Sequence, residues 1–596
     1  MQNPCMKFPP AFLANMRKGI WEAGLLLVLP LTFCRGFAEQ FSTPKLFLAK
    51  SLIITGLAVW GVGFVGRPAG RRGRFSLGLP LLGFSSAALI SCLASPVPHF
   101  SLLEVEFALC GPAWVLLLAS WDQGASAVRR IALLTGLAGG LVAGITLLQR
   151  FGVDPVLLGG YQVDWGSMVA RMRLYSTFGN PNFVGGYLIG AIFPALALAA
   201  ASKARWAKAL WLGFAAIMLA AIVETGSRGA WLGLAVGLAA AAMIVLPKND
   251  SRPRAVRASF GSIKMFVAPS ACWPVALLTV TLTERLVSQF RGRVYLWRFS
   301  WPIFTEHPIL GSGWGTYQLL YLDFQGRFLA AHSEYVGYWT NNRLLHNDPL
   351  QLLLEAGLLG LAAFVWVLWE YGRQARRVQQ QAAGSWTRYG IAASVGGVTA
   401  ILVDSLFNFQ FAVPPTFILL FTLLAFPTLL QDAVEGGCEA PPAATLPTGQ
   451  TPWPRAVKLA SRLVILAAAG GLLWQQARVL GSERAYQAAS DLEHHDDLVG
   501  AESAYRHSID LNPLHGRAHF GLSRVLYSSD RSSEALEEIV RAERTYTDSH
   551  QEVLRARILD QMGRNSEALA AYRHALWLDP TLTRVQEDIE RLSKVR

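Results

Sequence analysis

Apolar runs about as long as a bilayer is thick recur from Ile20 to about residue 475, separated by polar connections. A helix crosses the hydrocarbon core with roughly 20 mostly apolar residues. Runs near 20–33, 46–66, 77–94, 101–121, 128–149, 183–202, 206–223, 229–246, 265–283, 349–370, 389–405, 411–430 and 456–475 predict thirteen such helices. Two connections, 150–182 and 284–348, are long and polar. The expectation is an all-α, polytopic transmembrane helix bundle of 12–13 spans. It occupies residues 1–431, followed by a flexible Gly/Pro/Ala/Thr-rich linker at 432–455 and a last span at 456–475. Lys7, Arg17 and Lys18 precede the first run. Because many spans follow, that run reads as an uncleaved start helix.

Beyond residue 475 the pattern changes. The stretch Ala504–Pro513 nearly recurs at Ala571–Pro580, an offset of 67, and Glu534-Ala535-Leu536 lines up with Glu567-Ala568-Leu569 in between. A unit of about 34 residues with small packing positions and a closing Pro resembles the tetratricopeptide repeat. Residues 476–596 are therefore expected to form a C-terminal α-solenoid. Such a tail either offers a concave surface to a protein partner or caps the membrane domain.

Charge adds orientation. The chain of 596 residues is 52% apolar and 16% charged, with a net charge of +13. Residues 476–596 hold 16 Lys/Arg against 20 Asp/Glu, which leaves +17 for the membrane part. Nucleic acid is thus not the partner that the basic balance implies. Basic clusters such as Arg67/Arg71/Arg72/Arg74, Lys203/Arg205/Lys208 and Arg373/Arg376/Arg377 fall on every second connection. The positive-inside rule places these, and the N-terminus, in the cytoplasm. Both long connections and the C-terminal tail then lie outside.

Candidate chemistry gathers on that outer side. The six cysteines show no paired or metal-like spacing, and no Walker loop, dinucleotide turn or Gly-x-Ser-x-Gly elbow occurs. No metal, cofactor or covalent nucleophile is implied. Four stretches remain. In Phe178-Gly179-Asn180-Pro181-Asn182, either Asn180 or Asn182 caps the next helix or binds a ligand. In Ser227-Arg228-Gly229-Ala230-Trp231, Arg228 either pairs with Glu224 or offers an anion site. Arg291, Arg293 and Arg298 make the second long connection basic, against the inside bias; anionic headgroups or a phosphate-bearing ligand would explain them. Finally, His346-Asn347 precedes a helix start at which Asp348 reads as N-cap, Pro349 as first helical residue and Gln351 as N3. A proton-handling side chain would there sit beside the positive end of a helix. Glu355, about 10 Å down that helix, needs a partner, expected to be one of the arginines. Gly357 and Gly360 read as a small face for close helix packing.

These four stretches in this order resemble the O-antigen ligase and polymerase family, which includes bacterial protein O-oligosaccharyltransferases. The resemblance covers roughly residues 20–430. It implies glycan transfer from an undecaprenyl-pyrophosphate carrier to an acceptor hydroxyl (lipid A core, glycan or protein) on the periplasmic face of the bacterial inner membrane. It assigns His346 as general base, and Arg228, Arg291, Arg293, Asn180, Asn182, Asn347 and Glu355 as substrate-binding residues. Relatives often carry a second histidine just before the His-Asn pair; Leu344 and Leu345 stand there in this chain. Two other classes remain open from the residues alone. A transporter or flippase would show repeated halves and broken helices. A membrane-anchored scaffold would act through its repeat tail.

Overall fold

The computed structural model describes residues 19–65, 75–121, 124–156, 174–246, 291–381, 384–435 and 454–594. These residues form helices and no strand. The expected span at 265–283 and most of the expected linker lie outside them. Every other expected span coincides with a helix. In order these are α1 (Gly19–Leu31), α2 (Thr43–Phe64), α3 (Gly78–Ala94), α4 (Pro98–Trp121), α5 (Ala125–Arg150), α6 (Pro181–Ala201), α7 (Arg205–Thr225) and α8 (Arg228–Val245). Further on come α11 (Asp348–Gln381), α12 (Ser385–Ser405), α13 (Pro414–Glu435) and α14 (Arg455–His494). Among the described residues nine helices are long and apolar enough to cross a membrane. The protein is therefore a multi-pass membrane protein.

Small residues set how closely the central helices approach. In α8, Gly229, Gly233 and Gly237 follow at intervals of four and so share one face. A Cβ on Gly233 or Gly237 would lie 2.5 Å from the carbonyl oxygen of Ala400 or Gly396 in α12. Without that face the two backbones could not touch, and dispersion at close approach is a main force between helices in lipid. Fully buried α6 side chains such as Leu188 and Ile189 complete this core.

The second long connection is not a loop in its described part. It folds into α9 (Arg291–Glu306), α10 (Tyr317–Ala331) and a 3-10 turn, Ser333–Tyr338. Tyr295, Phe299, Tyr317 and Tyr321 bury themselves in a core shared with Leu350, Leu353 and Leu354 of α11 and with Leu578 of the tail. The polar residues that suggested a loop divide: Arg291, Glu306 and Arg327 are exposed, whereas Ser300 and Gln325 are buried.

Helix α11 is broken at Gly357, whose φ of 64° and ψ of −168° are not helical. The expectation of a Gly357/Gly360 packing face is corrected here: Gly357 is the break. The segment Pro308–Gly313 is laid into it. Ser312 and Gly313 donate their N–H groups to the carbonyls of Leu354 and Glu355, at 2.9 and 3.0 Å. Leu358 and Leu359 donate theirs to Pro308 and Ile309, at 2.9 and 3.1 Å. Side chains are excluded from both sides, since a Cβ on Gly357 would strike the Ile309 carbonyl and one on Gly311 would strike Glu355.

One uninterrupted helix, α14, carries the chain from the expected last span into the expected repeat region. Its C-terminal part pairs with α15 (Leu498–Leu511). The pairs α16 (Gly516–Ser528) with α17 (Ser532–Ala542) and α18 (Ser549–Gln561) with α19 (Asn565–Leu578) follow, then α20 (Thr583–Ser593). The matching sequence stretches fall on α15, α17 and α19, the second helix of each pair. The tail rests on the α9–α10 unit, where Trp339 donates its indole N–H to the Leu578 carbonyl at 2.9 Å.

Gly237→Val forces a branched side chain into the Gly396 carbonyl. It is expected to cost about 3 kcal/mol, as overpacking does. Thermal unfolding in detergent should show a clearly lowered midpoint, whereas Gly213→Val, at a position with open space around it, should leave it unchanged.

Candidate functional site

The segment Leu345–Asp348 is held from four sides. Leu345 gives its carbonyl to the indole N–H of Trp297 at 3.2 Å, and its own N–H to Gln351 Oε1 at 3.3 Å. Asn347 Oδ1 accepts from the Leu350 N–H at 2.9 Å. Asp348 Oδ2 accepts from the Phe411 N–H at 3.1 Å. The N-cap of α11 is therefore Asn347, not Asp348. The short Asn side chain reaches back to the first turn, which leaves the carboxylate to tie α11 to the start of α13. Between these anchors His346 adopts a φ of 54°, the left-handed region that a histidine enters only at a cost of roughly 1–2 kcal/mol. The flanking bonds impose that conformation, which directs the ring onto Phe409 (centroids 4.7 Å apart, edge to face). Its Nδ1 is buried and has no hydrogen-bond partner. A buried polar atom without a partner is rare and calls for a ligand or another explanation.

Arg293 stands beside His346. It lies one helical turn from Trp297 on α9, so the anchor that holds Leu345 also brings the guanidinium in. Arg293 reaches Asn408 Oδ1 at 3.5 Å. Burial, then the Arg293 charge, push the His346 imidazole from its usual range down to about 4. The ring is thus neutral at pH 7.

Asn408 belongs to a polar cluster at the end of α12. Asp404, fully buried, accepts from Asn408 Nδ2 and Gln410 Nε2, both at 2.6 Å. Gln410 Nε2 also lies 3.4 Å from the Asn182 carbonyl. Gly229 passes so close to Asp404 that a Cβ there would strike its carboxylate. The glycine face of α8 thereby presses the first turn after Arg228 onto this cluster. Asp404, Asn408, Phe409 and Gln410 were not among the expected site residues. Their signal is nonetheless in the sequence: an aspartate ending an apolar run, followed four residues later by an asparagine. An ionisable residue within a span calls for a partner, and the short connection hid it.

The remaining expected residues divide. Asn180 is a helix cap, its Oδ1 accepting from the Asn182 N–H at 2.9 Å. The Asn182 side chain is half-buried. Arg228 and Arg291 are exposed and carry no hydrogen bond or ion pair among the described residues. Of the two alternatives for Arg228, the pairing with Glu224 is not formed, for Glu224 lies 2.8 Å from Arg150. Glu355 does not meet an arginine either. Its carboxylate accepts from the Gly315 N–H at 2.8 Å and from Gln351 Nε2 at 3.1 Å. Glycine at 315 leaves room for Glu104, whose Cβ would lie 2.7 Å from an added one. Gln351 thus links the backbone before His346 to the wall that holds Glu355. No group of three or more His, Cys, Asp or Glu that could hold a metal ion occurs among the described residues.

Residues 213–365 match the model of a protein family described as O-antigen ligase. The matched segment includes Arg228, Arg293, His346 and Glu355, and stops before Asp404. No curated protein matches the chain.

Asn is more at ease than other side chains at a positive φ. His346→Asn is therefore expected to leave the unfolding midpoint unchanged or slightly raised. His346→Val, β-branched, should lower stability by about 2 kcal/mol. Equal midpoints for the two variants would show that the left-handed conformation is not enforced.

Proposed function

We propose that this membrane protein, whose residues 213–365 match the O-antigen ligase family model, transfers a glycan from a polyprenyl-pyrophosphate carrier to an acceptor hydroxyl. The carrier is undecaprenyl pyrophosphate, and the reaction takes place on the periplasmic face of a bacterial inner membrane. One observation carries this reading: a neutral imidazole with an unpartnered buried nitrogen, fixed in a costly conformation beside an arginine.

The roles follow from the chemistry. Sugar C1 bonded to pyrophosphate is already activated, so no nucleotide is required. The acceptor oxygen attacks C1 from the face opposite the phosphate. A new C1–O bond forms as the C1–O(phosphate) bond breaks, its electrons leave with the lipid pyrophosphate, and the acceptor proton passes to His346. One such displacement inverts the anomeric centre. Arg293 holds the charge that develops on the leaving group, aided by Arg228 and Arg291. Asn180, Asn182 and Asn347 shape the backbone around the reacting centre, and Asp404 with Asn408 orients Arg293. A phosphate on Arg293 offsets the charge that depresses the imidazole, so donor binding raises the basicity of His346 when a base is needed. Glu355 supports the acceptor side.

The broken helix would ordinarily favour a transporter, because half-helix ends bind ions and substrates. Here the backbone groups flanking the break bond to Pro308–Gly313. That favours the transferase.

His346→Ala should lower transfer by at least about 100-fold in bilayers supplied with lipid-linked glycan, while donor binding is retained. Full transfer by this variant would sink the role. In wild type, acid inactivates by protonating the base. With the imidazole depressed to about 4 in the free protein, kcat/KM should fall only as the pH drops toward 4. The corresponding limb of kcat, measured with donor bound, should lie at higher pH.

A further inference from the structure

A cavity of about 750 Å³ lies between the membrane helices, the α9–α10 unit and the C-terminal tail. Phe409, against which His346 packs, forms part of its wall, whereas His346, Arg293 and Arg228 do not line it. The volume falls within the ~300–1,000 Å³ usual for small-molecule sites.

The charges of its wall are unevenly spent. Each lining cation is engaged. Lys45 donates to the carbonyls of Thr32, Phe41 and Thr177 at 2.5, 3.0 and 2.5 Å. Lys50 bonds Glu106 at 3.0 Å. Arg343 stacks on Tyr546, 4.6 Å from the ring centroid, with Asp548 at 3.7 Å. Arg517 lies 3.9 Å from Glu39. Glu104, by contrast, is accessible, lines the cavity and has no hydrogen bond or ion pair among the described residues. It packs against Gly315, where a Cβ would come 2.7 Å from its own. The N–H of that same glycine holds Glu355, so two carboxylates flank Gly315 on one wall. Trp314 adds an aromatic face, and Leu514, Thr545 and Tyr546 of the tail complete the wall, the Tyr546 ring being taken up by Arg343 and Phe520.

A carboxyl group hydrogen-bonds a hydroxyl in either protonation state, whereas a phosphate needs a free cation. A wall of carboxyl groups whose cations are already matched offers a phosphate little and suits a ligand rich in hydroxyls. Aromatic rings suit the apolar faces of the same ligand. On the transferase reading, from which this step proceeds, we infer that the cavity holds the acceptor, that the acceptor presents an uncharged carbohydrate, and that the C-terminal tail is one wall of its site. The acceptor then reaches the reacting centre from the Phe409 side, and the pyrophosphate occupies the arginine side.

The test uses the full-length protein in its native membrane, with a photo-crosslinking phenylalanine analogue at Gln318, which lines the cavity. After irradiation the purified protein is analysed by mass spectrometry. The expected adduct is a phosphate-free glycan. Glu104→Gln and Trp314→Ala, each introduced alongside the crosslinker, should reduce its yield about tenfold, the effect of losing a hydrogen bond to a charged group or a stacking face. Glu104→Asp should retain part of it. A phosphorylated lipid, a peptide, no adduct, or yields untouched by both variants would overturn the proposal. The two readings separate in a parallel turnover assay. Donor turnover without a glycan adduct sinks the acceptor site alone, and a glycan adduct without donor turnover sinks the transferase alone.

Discussion

Inside a bilayer every backbone N–H and C=O has to find a partner within the protein, because each one left bare costs several kcal/mol. The break at Gly357 frees such groups on α11, and Pro308–Gly313 takes up four of them. This exchange joins the α9–α10 unit to the membrane bundle by main-chain bonds, which side-chain substitution cannot easily loosen. Arg293 and Trp297 stand on α9, His346 lies just before α11, and Glu355 sits at the break. Their relative positions all derive from that join.

A second constraint acts on the other flank. The glycine face of α8 lets its backbone touch α12, and Gly229 brings the start of α8 against Asp404. Asp404 fixes Asn408, and Asn408 meets Arg293. The arginine is thus reached from one side through packed helices and from the other through the broken helix. Phe409, next to Asn408, supplies the surface on which the His346 ring rests. Elements far apart in sequence converge because two close backbone approaches leave little freedom between them.

Much of this was legible in the sequence, for identifiable reasons. Apolar runs of bilayer length mark helices because hydropathy acts locally, so the described spans lie where the pattern put them. Residues 504–513 and 571–580 announced a repeating helical unit by similarity alone. His346 and Glu355 stood out as polar residues at a helix start and within an apolar run, and Arg293 as a basic residue on an outer connection. Their partners did not. Whether Asn347 or Asp348 caps α11 depends on what else the aspartate can reach, and Phe411 is more than sixty residues away. Glu355 meets Gly315 because of a loop inserted from elsewhere in the chain. Gly357 and Gly360 have the spacing of a packing face, yet a positive φ at Gly357 cannot be told from composition. Asp404 was visible as an intramembrane carboxylate, but its meaning rests on Asn408 and Gln410 folding back over it.

Helix α14 runs for 40 residues without interruption, about 60 Å at 1.5 Å per residue. Near its middle Gln475 and Gln476 hold Glu106 of α4, at 3.3 and 2.6 Å. The rod is held beyond its centre as well: Arg462 donates to the Val65 carbonyl just after α2 at 3.1 Å, and the tail it leads into is tied to the α9–α10 unit through Trp339. Membrane segment and tail therefore share one continuous backbone fastened on both parts, so neither can be reoriented without carrying the other, and the distance between bundle and tail is set by the length of a single helix.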